Sequence, residues 1–174
     1  MYELREYKKS DFDELWKIDQ QCFDREIAFS RPELSSYIER RHSFTIVAEI
    51  AANPAAPTGE PAPSAAPASA RQSAPHPRRP IAGFITVEMN KQAYGHVITI
   101  DVLEAHRRNG IGTMLLQAAE SRVRKINGFM LVLEVAVNND AARSFYERHG
   151  FKVIKSLPRY YAHKLDGLFL TKRL

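Results

Sequence analysis

The 174-residue chain carries one cysteine, Cys22, so it cannot form an internal disulfide. A lone thiol fits a reducing compartment. No apolar run reaches the roughly 20 residues that cross a bilayer. The opening Met-Tyr-Glu-Leu-Arg-Glu lacks the basic-then-apolar order of a signal peptide. A cytoplasmic protein without membrane contact is expected. The six histidines are dispersed, with no His-x-x-x-His spacing and no neighbouring cysteine pair, so no metal site is expected. Zinc-finger spacing is absent, as are basic strands interleaved with base-stacking aromatics, which speaks against direct nucleic-acid recognition.

What is present describes an ordinary globular protein of 44% hydrophobic and 26% charged residues, whose 174 residues are enough for one well-buried domain and too few for two comfortable ones. A net charge of +5 and a pI near 9.4 favour an anionic partner, either a cofactor or a nucleic-acid complex. Eight of the ten prolines fall between positions 51 and 80, among alanine and serine. Such a segment buries too little apolar surface to offset its ordering entropy. A disordered insertion is expected at 51–80, within a single domain spanning 1–174. Its basic end, Arg71 to Arg79, reads either as a tether to an acidic partner such as a ribosome or as a solvated linker.

Around that insertion the patterning alternates between strands and helices. Strands are expected at Tyr2 to Tyr7, Phe44 to Ile50, Ile81 to Val87, Tyr94 to Val102, Phe129 to Val137, Phe151 to Ile154 and Leu168 to Lys172. Ser10 and Asp11 are expected to cap a helix carrying Phe12, Leu15, Trp16 and Cys22. Ser30-Arg31-Pro32-Glu33 is a capping box opening a second helix. Ile111, Leu115, Ala118, Ala119 and Val123 recur at helical spacing in a third. Asn138-Asn139-Asp140 can cap a fourth, which Gly150 should end in a left-handed conformation. Pro158-Arg159-Tyr160-Tyr161 reads as a loop.

Two places carry chemistry. Arg107-Arg108-Asn109-Gly110-Ile111-Gly112-Thr113 joins a strand to a helix and offers free backbone N–H groups beside two arginines. It reads as a diphosphate cradle or as a plain turn with solvated arginines. Glu134 interrupts an otherwise apolar strand. Unless paired, its pKa should be raised, which would make it a usable base; at a sheet opening it would instead meet water or an arginine. Tyr146 has a hydroxyl that can donate a proton or simply satisfy a buried partner.

Taken together, these motifs and the order of elements resemble the GCN5-related N-acetyltransferase (GNAT) superfamily. Arg107 to Gly112 resembles its pyrophosphate signature, and Asn138 through Phe151 its second segment, Asn-x-x-Ala followed by Tyr-x-x-x-Gly-Phe. Leu133-Glu134-Val135 and Pro158-Arg159-Tyr160-Tyr161 resemble the subgroup that acetylates protein N-termini, including the bacterial ribosomal-protein alanine acetyltransferase. The resemblance implies an α/β GNAT acyl-CoA N-acyltransferase fold: a mixed, mostly antiparallel sheet splayed between its fourth and fifth strands, with helices on both faces. It implies acetyl-CoA as cosubstrate, held by Ile100, Asp101, Val102, Arg107, Arg108, Asn109, Gly110, Ile111, Gly112, Thr113 and Asn139. It further implies Glu134 as base, Tyr146 as acid, and Tyr160 and Tyr161 holding a peptide N-terminus such as that of a ribosomal protein. A small-molecule amine as acceptor, or a non-catalytic CoA-binding module, are the alternatives. The chain departs from the subgroup at Ala162 to Gly167, where an acidic Gly-Glu-Asp-Ala is usual.

Overall fold

A computed structural model of the chain describes residues 1–51, 79–162 and 164–174. The disorder expected at 51–80, and the tether within it, therefore fall almost wholly outside the described residues. Seven strands form one sheet: β1 (Tyr2–Glu6), β2 (Ser43–Ile50), β3 (Ile81–Met89), β4 (Tyr94–Val102), β5 (Met130–Ala136), β6 (Lys152–Tyr161) and β7 (Leu165–Arg173), in the order β1-β2-β3-β4-β5-β7-β6. Every neighbouring pair is antiparallel except β4 and β5, which run parallel.

Helices α1 (Phe12–Cys22) and α2 (Arg31–Glu39) cover one face, where Leu15, Ile18, Leu34 and Ile38 pack on Val47, Ile81 and Phe84. Helices α3 (Ile111–Lys125) and α4 (Asp140–Arg148) cover the other, where Leu115, Leu116, Val123 and Tyr146 join Ile85, Val87, Leu133 and Leu170. Each helix presents one apolar stripe to the sheet, the pattern that burial demands of an amphipathic helix. The mixed sheet with helices on both faces matches the expected fold.

Local signals mostly act where the sequence places them. Ser30 caps α2 in a capping box with Glu33, and the Asn139 side chain accepts from Ala142 N–H at 3.0 Å at the start of α4. Gly150 follows α4 with φ +85°, the left-handed geometry that favours glycine. Asp11 departs from expectation. A short 3-10 turn, Lys9–Asp11, precedes α1, and Asp11 makes no side-chain cap of that helix. Its carboxylate instead receives Arg5 at 2.6 and 3.1 Å and Lys8 N–H at 2.7 Å.

The end of the chain also differs from expectation. Tyr160 and Tyr161 belong to β6 rather than to a loop, and β6 and β7 form a longer hairpin than their apolar cores suggest. Pro158 is tolerated because β6 is an edge strand and its register slips between Leu157 and Tyr161. Within that slip Arg159 takes φ +53° and its N–H donates to Asp166 Oδ1 at 2.7 Å.

The feature that positions a site is the seam between β4 and β5. Only Tyr94, Gly95 and His96 pair across it, with Met130, Leu131 and Val132. Beyond those residues β4 stays with β3 and β5 stays with β7, so the sheet opens into a V. On β4 the register against β3 shifts at the start of the opening, leaving Ile98 as the extra residue. A bulge of this kind switches side-chain alternation. Val97 below it and Ile100 and Val102 above it therefore all face the α3 core.

Candidate active site

An open cleft of about 1230 Å³ runs through the V, reaching from the α1–α2 side to the α3–α4 side. Among the charged residues that line it is Glu134, on β5 two residues past the last paired position. Glu134 Oε2 lies 2.6 Å from Nε2 of His96, the last paired residue of β4. Sequence reasoning singled out Glu134 and left open whether it was paired. It missed His96, because histidine in an alternating strand carries no motif and its partner sits 38 residues away.

On the α1–α2 side the walls are Phe23, Ile27 and Phe29 from the α1–α2 connection, Tyr37 from α2, and Tyr160 and Tyr161 from β6. Partial burial of its hydroxyl, then Glu134, raises the Tyr160 phenol above the ordinary tyrosine range. Burial also raises Tyr161, with Tyr160 and Glu134 adding to it. Tyr146 from α4 is 7% exposed, and burial, then the carboxyl of Asp101 and then Tyr161, raises its phenol strongly. A phenol held in that state keeps its proton at neutral pH.

On the opposite side α3 begins with Gly110, whose φ is +80° and which has no side chain to cap the helix. The first α3 N–H with a helical acceptor is that of Met114, to the Gly110 carbonyl at 3.0 Å, so those of Ile111, Gly112 and Thr113 precede any such bond. Helices α1, α2 and α4 each have an acidic residue in the first turn, and α3 has none. The positive end of its dipole is therefore left for an external anion. Arg107, Arg108 and Thr113 line the same end of the cleft, and Arg108 takes φ +61° to turn the chain into the helix. This donor set fits the diphosphate of a coenzyme.

Not every residue expected to hold a cofactor faces the cleft. Leu103 N–H donates to Ala82 O of β3, so by strand alternation the backbone groups of Asp101 also turn to β3, while those of Ile100 and Val102 turn to the open edge. The Val102 carbonyl there receives Arg107 Nε at 2.9 Å. Asp101 is thus no cleft wall; its side chain is 1% exposed and accepts from Thr99 at 2.5 Å. Asn109 also lies off the walls and donates to His106 O at 3.2 Å. Asn139 reaches the cleft, but its Oδ1 is engaged in capping α4. Cys22 borders the cleft against Val102 O at 3.4 Å, and burial pushes its thiol up to about 11, which leaves it a poor nucleophile.

Comparison with known proteins agrees with this geometry. Over 81 residues the chain is 43% identical to an N-alpha-acetyltransferase of Sulfurisphaera tokodaii, covering 46% of this chain and 48% of that one. Over 73 residues it is 39% identical to N-alpha-acetyltransferase 30 of Schizosaccharomyces pombe, covering 42% and 49%. The chain thus spans about half the length of these curated relatives. The fold is shared with the ribosomal-protein-S18-alanine N-acetyltransferase from Escherichia coli, with a TM-score of 0.74 at 18% identity over 99% of this chain and 94% of that one. It is shared equally with Ard1 from Thermoplasma volcanium, with a TM-score of 0.77 at 20% identity over 99% and 97%. Residues 65–151 match the acetyltransferase (GNAT) family, and with the splayed sheet and the uncapped α3 terminus the chain belongs to that family.

Proposed function

We propose that the protein moves an acetyl group from acetyl-CoA directly to the N-terminal α-amine of a polypeptide. The observation that carries this reading is the Glu134–His96 contact at the apex of the V, between an anion cradle on one side and a tyrosine-lined opening on the other. Bound acetyl-CoA supplies the acetyl group as an activated thioester. The N–H groups of Ile111, Gly112 and Thr113, with Arg107 and Arg108, hold the pyrophosphate. The open-edge backbone groups of Ile100 and the Val102 N–H pair with the pantetheine arm as an added strand would.

The acceptor enters between the α1–α2 connection and β6, with Tyr160 and Tyr161 against its first residues. Glu134, oriented by His96, takes a proton from the α-ammonium, whose pKa of about 8 makes this a small task. The amine nitrogen then forms its bond to the acetyl carbon as the carbon–sulfur bond breaks. Tyr146 gives its proton to the departing sulfur, and the second proton, shed by the nitrogen as the amide forms, passes through solvent to restore the phenol. No covalent bond to the protein is needed.

The curated relatives named N-alpha-acetyltransferase support a polypeptide N-terminus as acceptor, and the fold shared with the ribosomal-protein-S18-alanine enzyme makes ribosomal proteins the first candidates. Turnover with acetyl-CoA, measured against a panel of N-terminal peptides and a panel of free amines and polyamines, tests this. Peptides acetylated at the α-amine with higher kcat/KM than any amine are expected. The reverse order would move the protein to the small-amine acetyltransferases, and CoA binding without turnover on either panel would make it a binding module.

A further inference from the structure

The cradle contains a histidine that the pyrophosphate reading leaves without a role. His149 follows the last residue of α4, at the end of the cleft where α3 begins. Its Nδ1 lies 2.8 Å from the Phe145 carbonyl oxygen, and its ring sits 4.4 Å from that of Phe145, centre to centre. A carbonyl oxygen has no hydrogen to give, so Nδ1 carries one. The other nitrogen, Nε2, lies 3.0 Å from Thr113 Oγ1. In the neutral ring Nε2 is bare. Thr113 must then donate its only hydroxyl proton to His149, and it turns nothing but lone pairs toward the cleft.

Thr113 is the third residue of α3, within the group of free N–H donors. A phosphate oxygen arriving there meets an acceptor facing an acceptor. One added proton reverses the arrangement. The imidazolium Nε2–H donates to Thr113 Oγ1, and the threonine hydroxyl is released to donate into the cleft.

We propose that His149 takes up a proton when a diphosphate-bearing cofactor binds, and that Thr113 converts that proton into a hydrogen bond to the phosphate. The inference rests on the acetyl-CoA reading and adds a positioning residue to it. One proton passes from solvent to Nε2, and no bond between heavy atoms forms or breaks. Glu147 and Arg148 precede His149 in the chain, Arg107 and Arg108 line the same cleft, and Lys172 of β7 lies by the next residue, Gly150. The Lys172 side chain reaches Gly150 and pairs with Glu120 of α3 at 2.5 Å. Cations outnumber anions in this set, and the incoming diphosphate supplies the balancing charge.

Isothermal titration calorimetry of the whole protein with CoA, in two buffers of different ionisation heat, reads the proton uptake directly. Repeating it with 3′-dephospho-CoA removes the titration of the 3′-phosphate. The wild type should take up a proton fraction that His149→Gln and Thr113→Val do not. Its CoA affinity should fall by up to about tenfold per pH unit as pH rises through the imidazole range of about 5 to 8, with a shallower slope in both variants. Equal uptake in wild type and both variants overturns the inference while leaving the acetyl-CoA reading intact. Failure of all three proteins to bind CoA overturns that reading, and the inference with it. Should His149→Gln not fold, imidazole nitrogen NMR of the wild type with and without CoA decides between uptake and none.

Discussion

His96 and Glu134 meet at 2.6 Å where β4 and β5 stop pairing, so the one carboxylate of the apolar β5 strand is held by the residue that closes the seam. The contact places a carboxylate and its imidazole partner on two strands rather than on loops. Their separation is then set by sheet hydrogen bonding and not by side-chain chance.

Glu134→Gln removes the carboxylate and keeps the shape. It should lower kcat/KM for a peptide acceptor by about 10²- to 10⁴-fold and leave CoA affinity within twofold of wild type. His96→Ala should cost less, because the carboxylate stays but loses its orientation. A pH–rate profile unchanged in Glu134→Gln would remove Glu134 as the base.

Tyr146→Phe deletes one oxygen from a buried phenol that lines the cleft. Turnover should drop by about 10²-fold or more while CoA binding by calorimetry is preserved. A variant as fast as wild type would assign the thiolate proton to another donor.

Asp19 is fully buried on α1, where it accepts from Phe29 N–H at 2.9 Å and from Gln20 at 3.0 Å. Burial, only partly offset by those bonds, raises its pKa to about 6. A carboxyl raised on folding binds its proton more tightly in the native state. Its contribution is most favourable below the unfolded value near 3.8 and is lost as pH rises to about 6. Asp19→Asn keeps an acceptor for Phe29 and removes the buried charge. Denaturant unfolding should show the variant more stable than wild type above pH 6, by roughly 1 to 3 kcal/mol, with the gap closing toward pH 4. A gap independent of pH would mean that ionisation of Asp19 is not the cause.

Gly167 of β7 leaves room for Tyr160, since a β-carbon there would lie 3.2 Å from Tyr160 Cβ and 3.3 Å from its ring. Gly167→Val should push the Tyr160 ring off the cleft wall and raise KM for peptide several-fold, with KM for acetyl-CoA unchanged. Unchanged peptide KM would place Tyr160 outside the acceptor contacts.

Much of the architecture was legible before any coordinates. β-Branched runs, the Ser30–Glu33 box, the glycine turn and the left-handed Gly150 are local signals, and local backbone energetics acts on them directly. The β6–β7 hairpin was read too short because most of β6 is solvent-exposed and so lacks the apolar pattern by which strands are recognised. Asp101 was grouped with Ile100 and Val102, although backbone groups alternate along a strand, and which parity faces the open edge is set by pairing with β3, which leaves no mark in composition.

The sequence by itself determined the alternation of strands and helices, the glycine turn that opens α3 and the family to which the chain belongs, because each rests on contiguous residues. Only the tertiary structure decided that β4 and β5 separate after three paired positions, that His96 is the partner of Glu134, and that His149 Nε2 lies against the Thr113 hydroxyl. Those relationships join residues 36 to 38 positions apart or more. They arise from how the sheet twists apart and how α3 and α4 close over it, which no local propensity encodes.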